Sequence, residues 1–224
     1  ISSALRRRQL EAQSRAYQED LEQKVAARTV ELEKTLDGLI QVVTRTIESR
    51  DPYTAGHQRR VAALASAMAE DMDLSRDQLK GIRMAGLIHD MGKISVPSEI
   101  LSKPGQLSDM EFALIQNHAE AGYDILKGLS FPWPMADIIR QHHERMDGSG
   151  YPQGLTGAQI LMEAKVIAVA DVVEAMTSHR PYRPALGIDE ALKEISEKRD
   201  ILYDTDAVDA CVKLFQEKRF EWEG

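Results

Sequence analysis

The sequence has one cysteine, Cys211, among 224 residues, and no apolar run as long as a membrane span. A single cysteine excludes an internal disulfide framework and is typical of a reducing compartment, so we expect a cytoplasmic protein. A bilayer crossing needs about 20 consecutive apolar residues, so we expect no membrane contact from this segment. The chain begins Ile-Ser-Ser, with neither an initiator methionine nor a signal peptide. We therefore expect it to be a fragment of a longer protein.

Positive charge is also scarce, because 28 basic residues face 36 acidic ones. Residues 1–50 are close to neutral, and the acidic excess lies in residues 51–224. Polymeric nucleic acids and acidic membranes are bound by basic surfaces, so neither is an expected partner. If the protein handles a phosphate compound, the positive charge must be supplied locally. The six histidines are interesting for this reason.

Residues 4–50 lack proline and contain one glycine, Gly38, whereas good helix formers are abundant. Apolar residues recur there in steps of three, four or seven, which predicts one long helix with a narrow apolar stripe. We expect a dimeric parallel coiled coil, with a single helix packed on its own domain as the alternative. Residues 21–32 resemble the helical linkers of bacterial signalling proteins. The stripe consists of Leu21, Val25, Leu32, Leu36, Leu39, Val43 and Ile47.

The remainder of the chain is also predicted to be helical, which makes the fold class all-α. Ser75 and Ser108 are predicted N-caps, and Ser108 with Glu111 forms a capping-box pattern. Residues 166–170 are apolar enough for a buried strand, but their pattern continues through Met176, so we interpret them as helix. Residues 91–107 and 146–157 are predicted loops. The predicted helices are 57–72, 76–90, 109–126, 134–145, 159–178, 188–197 and 205–218.

Histidine and aspartate residues recur at intervals that allow one helix out and one helix back. An antiparallel bundle would therefore bring five points of the chain to one end. Imidazole with carboxylate suits Fe, Mn, Ni, Co or Zn, and seven candidate ligands suit two metals that share a carboxylate. Each residue alone has a simpler interpretation as a surface or core residue. The candidates are His57, His89, Asp90, His118, His142, His143 and Asp171.

Two of these pairs of candidates, His89–Asp90 and His142–His143, lie within longer motifs. The His-Asp-Met-Gly-Lys sequence at 89–93 resembles the signature of the HD phosphohydrolase superfamily. The sequence from His142 to Pro152, which ends Gly-Tyr-Pro, is similar to the second signature of its HD-GYP subfamily. Residues 101–105, 170–172 and 177–183 also match that subfamily's pattern. The resemblance covers about residues 40–218.

The resemblance implies an HD-type helical bundle that hydrolyses cyclic di-GMP, a bacterial second messenger. Its implied domains are a coiled-coil signalling linker helix at 1–50 and a metal-dependent phosphohydrolase domain at 51–224. The implied metals are two divalent ions, Fe or Mn, with Ni, Co or Zn as alternatives. Some family members bind a third metal through a glutamate. This sequence has Tyr53 at that position and therefore resembles the members with two metals. The ligand sets implied are His57, His89, Asp90 and Asp171 for one metal, with Asp90 bridging to a second held by His118, His142 and His143.

The expected chemistry is attack on phosphorus by a hydroxide that the two metals share, giving linear pGpG or GMP. Asp90 and Lys93 are the candidate catalytic residues, and Lys93 is also a candidate donor to the phosphate. Tyr151 is a further candidate substrate contact, with a purely structural role as the alternative. Arg180 and Arg183 are candidates for the second phosphate or a guanine edge, with ordinary surface ion pairs as the alternative.

Two other functions stay open at this point. One is a low-turnover sensor that binds cyclic dinucleotides, and the other is a hydrolase of a mixed cyclic GMP–AMP ring. The Gly-Tyr-Pro loop is a candidate docking site for a diguanylate cyclase or another signalling protein. The long N-terminal helix is the expected homodimer interface.

Overall fold

A computed structural model describes residues 2–50, 56–103, 105–179 and 185–222, except for the side chains of residues 2–4, 8, 9, 12 and 33. Tyr53, Arg180 and Arg183 lie outside the described residues, so the expectations attached to them have no structural counterpart here.

The described residues form ten α-helices, with short 3-10 helices at Met91–Ser95 and Gly157–Gln159. Among these residues no named strand occurs, and two isolated bridges are the nearest approach to a sheet. The predicted all-α class is therefore confirmed. The α-helices are α1 Ser2–Glu48, α2 His57–Asp71, α3 Arg76–Ile88, α4 Ser98–Leu101, α5 Asp109–Gln116, α6 His118–Leu126, α7 Met135–Gln141, α8 Met162–Thr177, α9 Ile188–Glu197 and α10 Thr205–Gln216.

The predicted caps form as the sequence indicates. Ser75 accepts a hydrogen bond from the backbone N–H of Gln78, and Ser108 accepts one from Glu111. In both cases the side chain three residues on returns to the N-cap backbone, which completes a capping box.

Two predicted helices and one predicted loop differ from the structure. The predicted loop 91–107 contains the 3-10 helix Met91–Ser95 and the short helix α4. The predicted helix 109–126 is divided at Asn117, because α5 buries none of its residues whereas α6 buries His118 and three others. The two halves of the apolar pattern therefore face different environments. The predicted helix 134–145 ends at Gln141, and the chain turns at the two histidines that follow.

The core is built around α8, which is buried on nearly all sides. Val166, Ile167, Val169 and Val173 of this helix have no exposed surface. The apolar run at 166–170 is therefore a buried helix, as interpreted from the sequence. Helices α2, α3, α7, α9 and α10 pack on α8, and α2 also packs on α3 and α10.

The chain divides into two compact units, Ile1–Val42 and Val43–Gly224. In the first unit the apolar stripe is exposed, with Val25 65% and Leu32 60% accessible. In the second unit the last turns of α1 are packed, and Ile47 is only 4% exposed. In the part of the chain that the structure describes, no helix combines the length and apolar character needed to cross a bilayer.

Cys211 is fully buried in α10. Burial raises the pKa of its thiol to about 12, so the thiolate that reacts with oxidants or metals is not formed near neutral pH. Its position fits the role of a small apolar core residue.

Candidate metal centre

Five segments bring the seven candidate ligands together. His57 is the first residue of α2 and His118 the first of α6, whereas His89–Asp90 and His142–His143 directly follow α3 and α7. Asp171 lies within α8. Helix ends thus supply six of the seven side chains, and the buried central helix supplies the seventh.

Asp90 lies between two groups of imidazoles. Its Oδ2 atom is 3.5 Å from Nε2 of His89 and 3.7 Å from Nε2 of His57. Its Oδ1 atom is 3.4 Å from Nε2 of His118. The two oxygens of one carboxylate therefore face different histidines. Asp171 is on the first side, with Oδ1 3.2 Å from Nε2 of His57.

Three of the imidazoles are oriented by the backbone. Nδ1 of His89 lies 2.8 Å from the carbonyl oxygen of Gly86, and His118 and His142 make the same contact three residues back, at 2.6 and 2.5 Å. A carbonyl oxygen can only accept, so Nδ1 carries the proton and donates it. In this tautomer the Nε2 lone pair of each ring is directed into the cluster.

The directed lone pairs fit a bound cation. Nε2 of His118 and Nε2 of His142 are 3.3 Å apart, and two acceptor nitrogens at this distance repel unless a positive charge lies beside them. Nε2 of His89 is buried and has no hydrogen-bond partner among the described residues. A buried acceptor without a partner is costly, and a metal ion removes that cost.

Electrostatics favour the neutral form, which metal ligation requires, at three of the imidazoles. Burial lowers the pKa of His118, and it lowers that of His142 to about 3 with the neighbouring imidazoles contributing. Burial and the adjacent rings hold the pKa of His143 well below its usual value. Burial alone would raise the pKa of Asp90, but Lys93 and the imidazoles outweigh it and keep Asp90 ionised.

The donor atoms fall into three overlapping sets, each with its atoms within 4.8 Å of one another. Nitrogen and carboxylate oxygen donors of this kind suit a divalent transition metal. All seven candidates occur in at least one set. The sets are His57, His89 and Asp171; His89, Asp90 and His142; and His118, His142 and His143.

Lys93 lies beside the cluster, with Nζ 2.7 Å from Oδ2 of Asp90. Its side chain is 15% exposed, so the ammonium is placed at the edge of the site rather than in solvent. The 3-10 helix at 91–95 positions it three residues after the carboxylate.

The Gly-Tyr-Pro loop is wrapped around Glu144. This buried carboxylate accepts hydrogen bonds from the backbone N–H groups of Gln153, at 2.7 Å, and Leu155, at 2.9 Å. A side chain at Gly150 would collide with the backbone of Glu144, so the glycine allows the loop to pack there. Tyr151 stacks on His143, with the ring centroids 4.7 Å apart and the planes inclined by 29°.

Two carboxylates that the sequence analysis did not single out belong to the surroundings of the cluster. Glu144 shapes the loop, and Glu174 contacts Nδ1 of His57. Glu174 is an acidic residue in an apolar helix and lies three residues after Asp171 on the same face. The cost of burying an unpaired charge is a sequence signal that applies equally to Asp171 and Glu174, because both lie in this apolar helix.

Gly92 joins the His-Asp motif to α6. A β-carbon at this position would overlap the carbonyl oxygen of His118 and lie 2.6 Å from the backbone nitrogen of Gly122. We expect Gly92→Ala to lower the free energy of unfolding by about 3 kcal/mol, because backbone atoms have to separate. Urea unfolding followed by circular dichroism measures this change. Gly128→Ala is the matched control, since nothing lies within 4 Å of the added methyl group. Equal unfolding midpoints for the two variants would contradict the close packing.

The comparisons with known proteins agree with this geometry. The model of the HD domain family matches residues 41–207. The chain belongs to the HD domain family. The family predicted from the sequence motifs is therefore confirmed, and the cluster described above lies wholly within the matched HD domain.

Named relatives of this HD domain act on cyclic dinucleotides. The cyclic di-GMP phosphodiesterase response regulator RpfG of Xanthomonas campestris is 39% identical over 92% of this chain and 56% of the relative. The 3'3'-cGAMP-specific phosphodiesterase 3 of Vibrio cholerae is 35% identical over 80% of this chain and 39% of the relative. The chain thus spans about half the length of these curated relatives, or less.

A solved structure confirms the HD-type bundle. The cyclic GMP-AMP specific phosphodiesterase V-cGAP3 of V. cholerae superposes with a TM-score of 0.63 over 81% of this chain and 49% of that one. Its sequence identity is 19%, so this likeness concerns the fold.

Proposed function

We propose that the chain is a metal-dependent phosphodiesterase that hydrolyses cyclic di-GMP to linear pGpG, GMP or both. The observation that carries the proposal is the position of Asp90, whose two oxygens face histidines on opposite sides. One carboxylate in that position is suited to bridge two cations. The names of the relatives support a cyclic dinucleotide as substrate. Release of linear product from cyclic di-GMP by metal-loaded protein is the direct test.

Two groups of residues would hold the metals. Fe or Mn are the metals that the family resemblance implies, and nitrogen donors with carboxylates also suit Ni, Co or Zn. When bound, two such ions supply Lewis acidity to the phosphate and lower the pKa of water. The first group is His57, His89, Asp90 and Asp171, and the second is Asp90, His118, His142 and His143.

The chain's own residues supply the remaining requirements. Lys93 places a positive charge beside Asp90, where it neutralises a phosphate oxygen or the departing ribose oxygen. Asp90 stays ionised at the pH of the cell because its pKa is lowered. The ring of Tyr151 stacks on His143, and we propose that Tyr151 contacts the bound substrate. We also propose that Arg180 and Arg183 contact the second phosphate or a guanine edge of the substrate.

A mixed cyclic GMP–AMP ring is the second candidate substrate, because a relative with 35% identity is named for 3'3'-cGAMP. The two rings share the phosphodiester that the cluster would cleave and differ in one base. Competition kinetics with both rings present separate the candidates through the ratio of kcat/KM values. Tight binding of either ring with negligible turnover under Fe, Mn and Ni loading would instead favour a sensor.

We propose that residues 1–50 are a signalling linker and residues 51–224 the catalytic HD-GYP domain. Contacts of the last turns of α1 support this role. The hydroxyl of Thr44 donates to the carbonyl oxygen of Leu87 at 3.1 Å, and the N–H of Gly56 donates to Glu48 at 2.8 Å. Gly56 directly precedes His57, and Leu87 lies two residues before the His-Asp motif. A shift of this end of α1 would therefore act on segments that carry candidate ligands.

The exposed stripe of the first unit supports a parallel homodimer through α1. We expect the chain to sediment as a dimer, and Leu32→Glu to convert it to a monomer by placing a charge in the apolar seam. Val30→Glu is the matched control, because Val30 is also exposed but lies on the opposite face of the helix. A shortened chain of residues 43–224, which keeps the packed turns, should also be monomeric. Dimers in that shortened chain would place the main interface elsewhere.

The partners and location that remain are proposals of the same kind. The Gly-Tyr-Pro loop is a candidate docking site for a diguanylate cyclase or another signalling protein. A buried, unpaired thiol and a cyclic dinucleotide substrate favour the cytoplasm.

A further inference from the structure

Glu174 lies behind the metal-facing side of His57. It is fully buried in α8, one turn after Asp171. Nε2 of His57 faces Asp171, whereas Nδ1 contacts an oxygen of Glu174. Two carboxylates on one face of a helix therefore lie on the two nitrogens of the same imidazole.

The other oxygen of Glu174 is fixed by two side chains. Arg60 donates to it through Nε at 2.8 Å and through a terminal nitrogen at 2.6 Å. Ser178 donates its hydroxyl at 2.6 Å. With Oε1 held in this way, Oε2 is aimed at His57. The carboxylate is satisfied as a buried charge and oriented at the same time.

His57 differs here from three other imidazoles of the cluster. His89, His118 and His142 are oriented by backbone carbonyl oxygens, which no substitution removes. His57 is oriented by a charged side chain. An anionic acceptor makes an imidazole more basic and fixes which nitrogen carries the proton.

We propose that Glu174 is a positioning residue that holds His57 with Nδ1 protonated and Nε2 directed at a metal ion. The inference rests on the proposed role of His57 as a metal ligand. Partners of this kind typically contribute a factor of about 10–100 to metal affinity.

The test is Mn²⁺ binding to the full chain, measured by titration calorimetry. We expect Glu174→Gln, which keeps the volume and an acceptor oxygen, to raise the Kd of one Mn²⁺ site about 10-fold. Glu174→Ala should raise it further, toward about 100-fold. In a His57→Ala background neither substitution should change the remaining Mn²⁺ affinity, because the residue acts through His57. A purely structural role would give the same loss in both backgrounds.

Asp71→Asn is the matched control. Asp71 is a carboxylate paired with Lys213 and Arg219 at the end of α2 farthest from His57, so its loss should leave Mn²⁺ affinity unchanged. Unchanged affinity in both Glu174 variants would overturn the inference while leaving the proposed function standing. Two Mn²⁺ sites with the expected Glu174 effect, but no turnover of cyclic dinucleotides, would support the inference and overturn the proposed function.

Discussion

Asp90→Asn should lower the turnover of cyclic di-GMP at least ~1000-fold while the helical fold is kept. This is the loss of about 4 kcal/mol of transition-state stabilisation, the scale of a misplaced metal. Asparagine has nearly the same shape, but its amide nitrogen cannot coordinate where the second carboxylate oxygen did. The oxygens of Asp90 face His57 and His89 on one side and His118 on the other, so one substitution would affect both proposed metals.

Steady-state kinetics and elemental analysis measure this result together. The bound metal should fall below two ions per chain as kcat falls, and circular dichroism should report unchanged helix content. Asp71→Asn, which removes an ion-paired carboxylate far from the cluster, should keep both metal and turnover. Undiminished kcat in Asp90→Asn would remove the central residue from the proposed site.

Lys93→Met should lower kcat about 100-fold with little loss of bound metal. The expected loss corresponds to ~2.7 kcal/mol, the magnitude observed when one donor to a developing negative charge is removed. Lys93 lies 2.7 Å from Asp90 and is mostly shielded from solvent, so its charge acts at short range in a medium of low dielectric constant. Methionine keeps much of the length and removes only the charged group.

The separate effects on kcat and KM distinguish a catalytic role of Lys93 from a role in substrate binding alone. A fall in kcat at constant KM would place its charge on the transition state, as proposed. Lys103→Met removes a lysine from the same connection between α3 and α5, where it pairs with Glu111, and should leave both parameters unchanged. If Lys93→Met raises KM alone, the lysine binds substrate and transition state equally and is not catalytic.

Local patterns predicted the helical fold well. The serine caps at 75 and 108, the helix at 188–197 and the buried helix at 166–170 all follow from short-range signals. The break at Asn117 does not, because a continuous apolar pattern carries no mark of where the environment of its faces changes. The early end of α7 at Gln141 is of the same kind, since no proline or glycine marks it in the sequence.

The residues of the candidate site could also be predicted from the sequence, but from a different signal than the helices. Burying an imidazole or carboxylate requires a partner, so acidic and histidine residues in apolar surroundings stand out. This reasoning applies to Asp171 in the apolar helix α8, and in the same helix it also identifies Glu174. The orientation of each ring could not be predicted, because the carbonyl oxygens that fix His89 and His142 are properties of the backbone path.

The N-terminal helix was predicted from the sequence, whereas its proposed dimer depends on a second chain. Its apolar stripe is visible in the sequence and exposed in the first unit, and we propose that a second copy of the chain covers it. For that reason the coiled-coil dimer is tested by sedimentation and not by inspection of a single chain.

We propose that two bound metals make this HD domain a hydrolase of cyclic di-GMP. The most direct measurement follows cyclic di-GMP and its products by chromatography, using anaerobically purified protein whose metal content is known from elemental analysis. We expect two Fe or Mn ions per chain, release of linear pGpG or GMP, and loss of product formation after chelation. Protein that carries two metals and leaves cyclic di-GMP intact would contradict the proposed function.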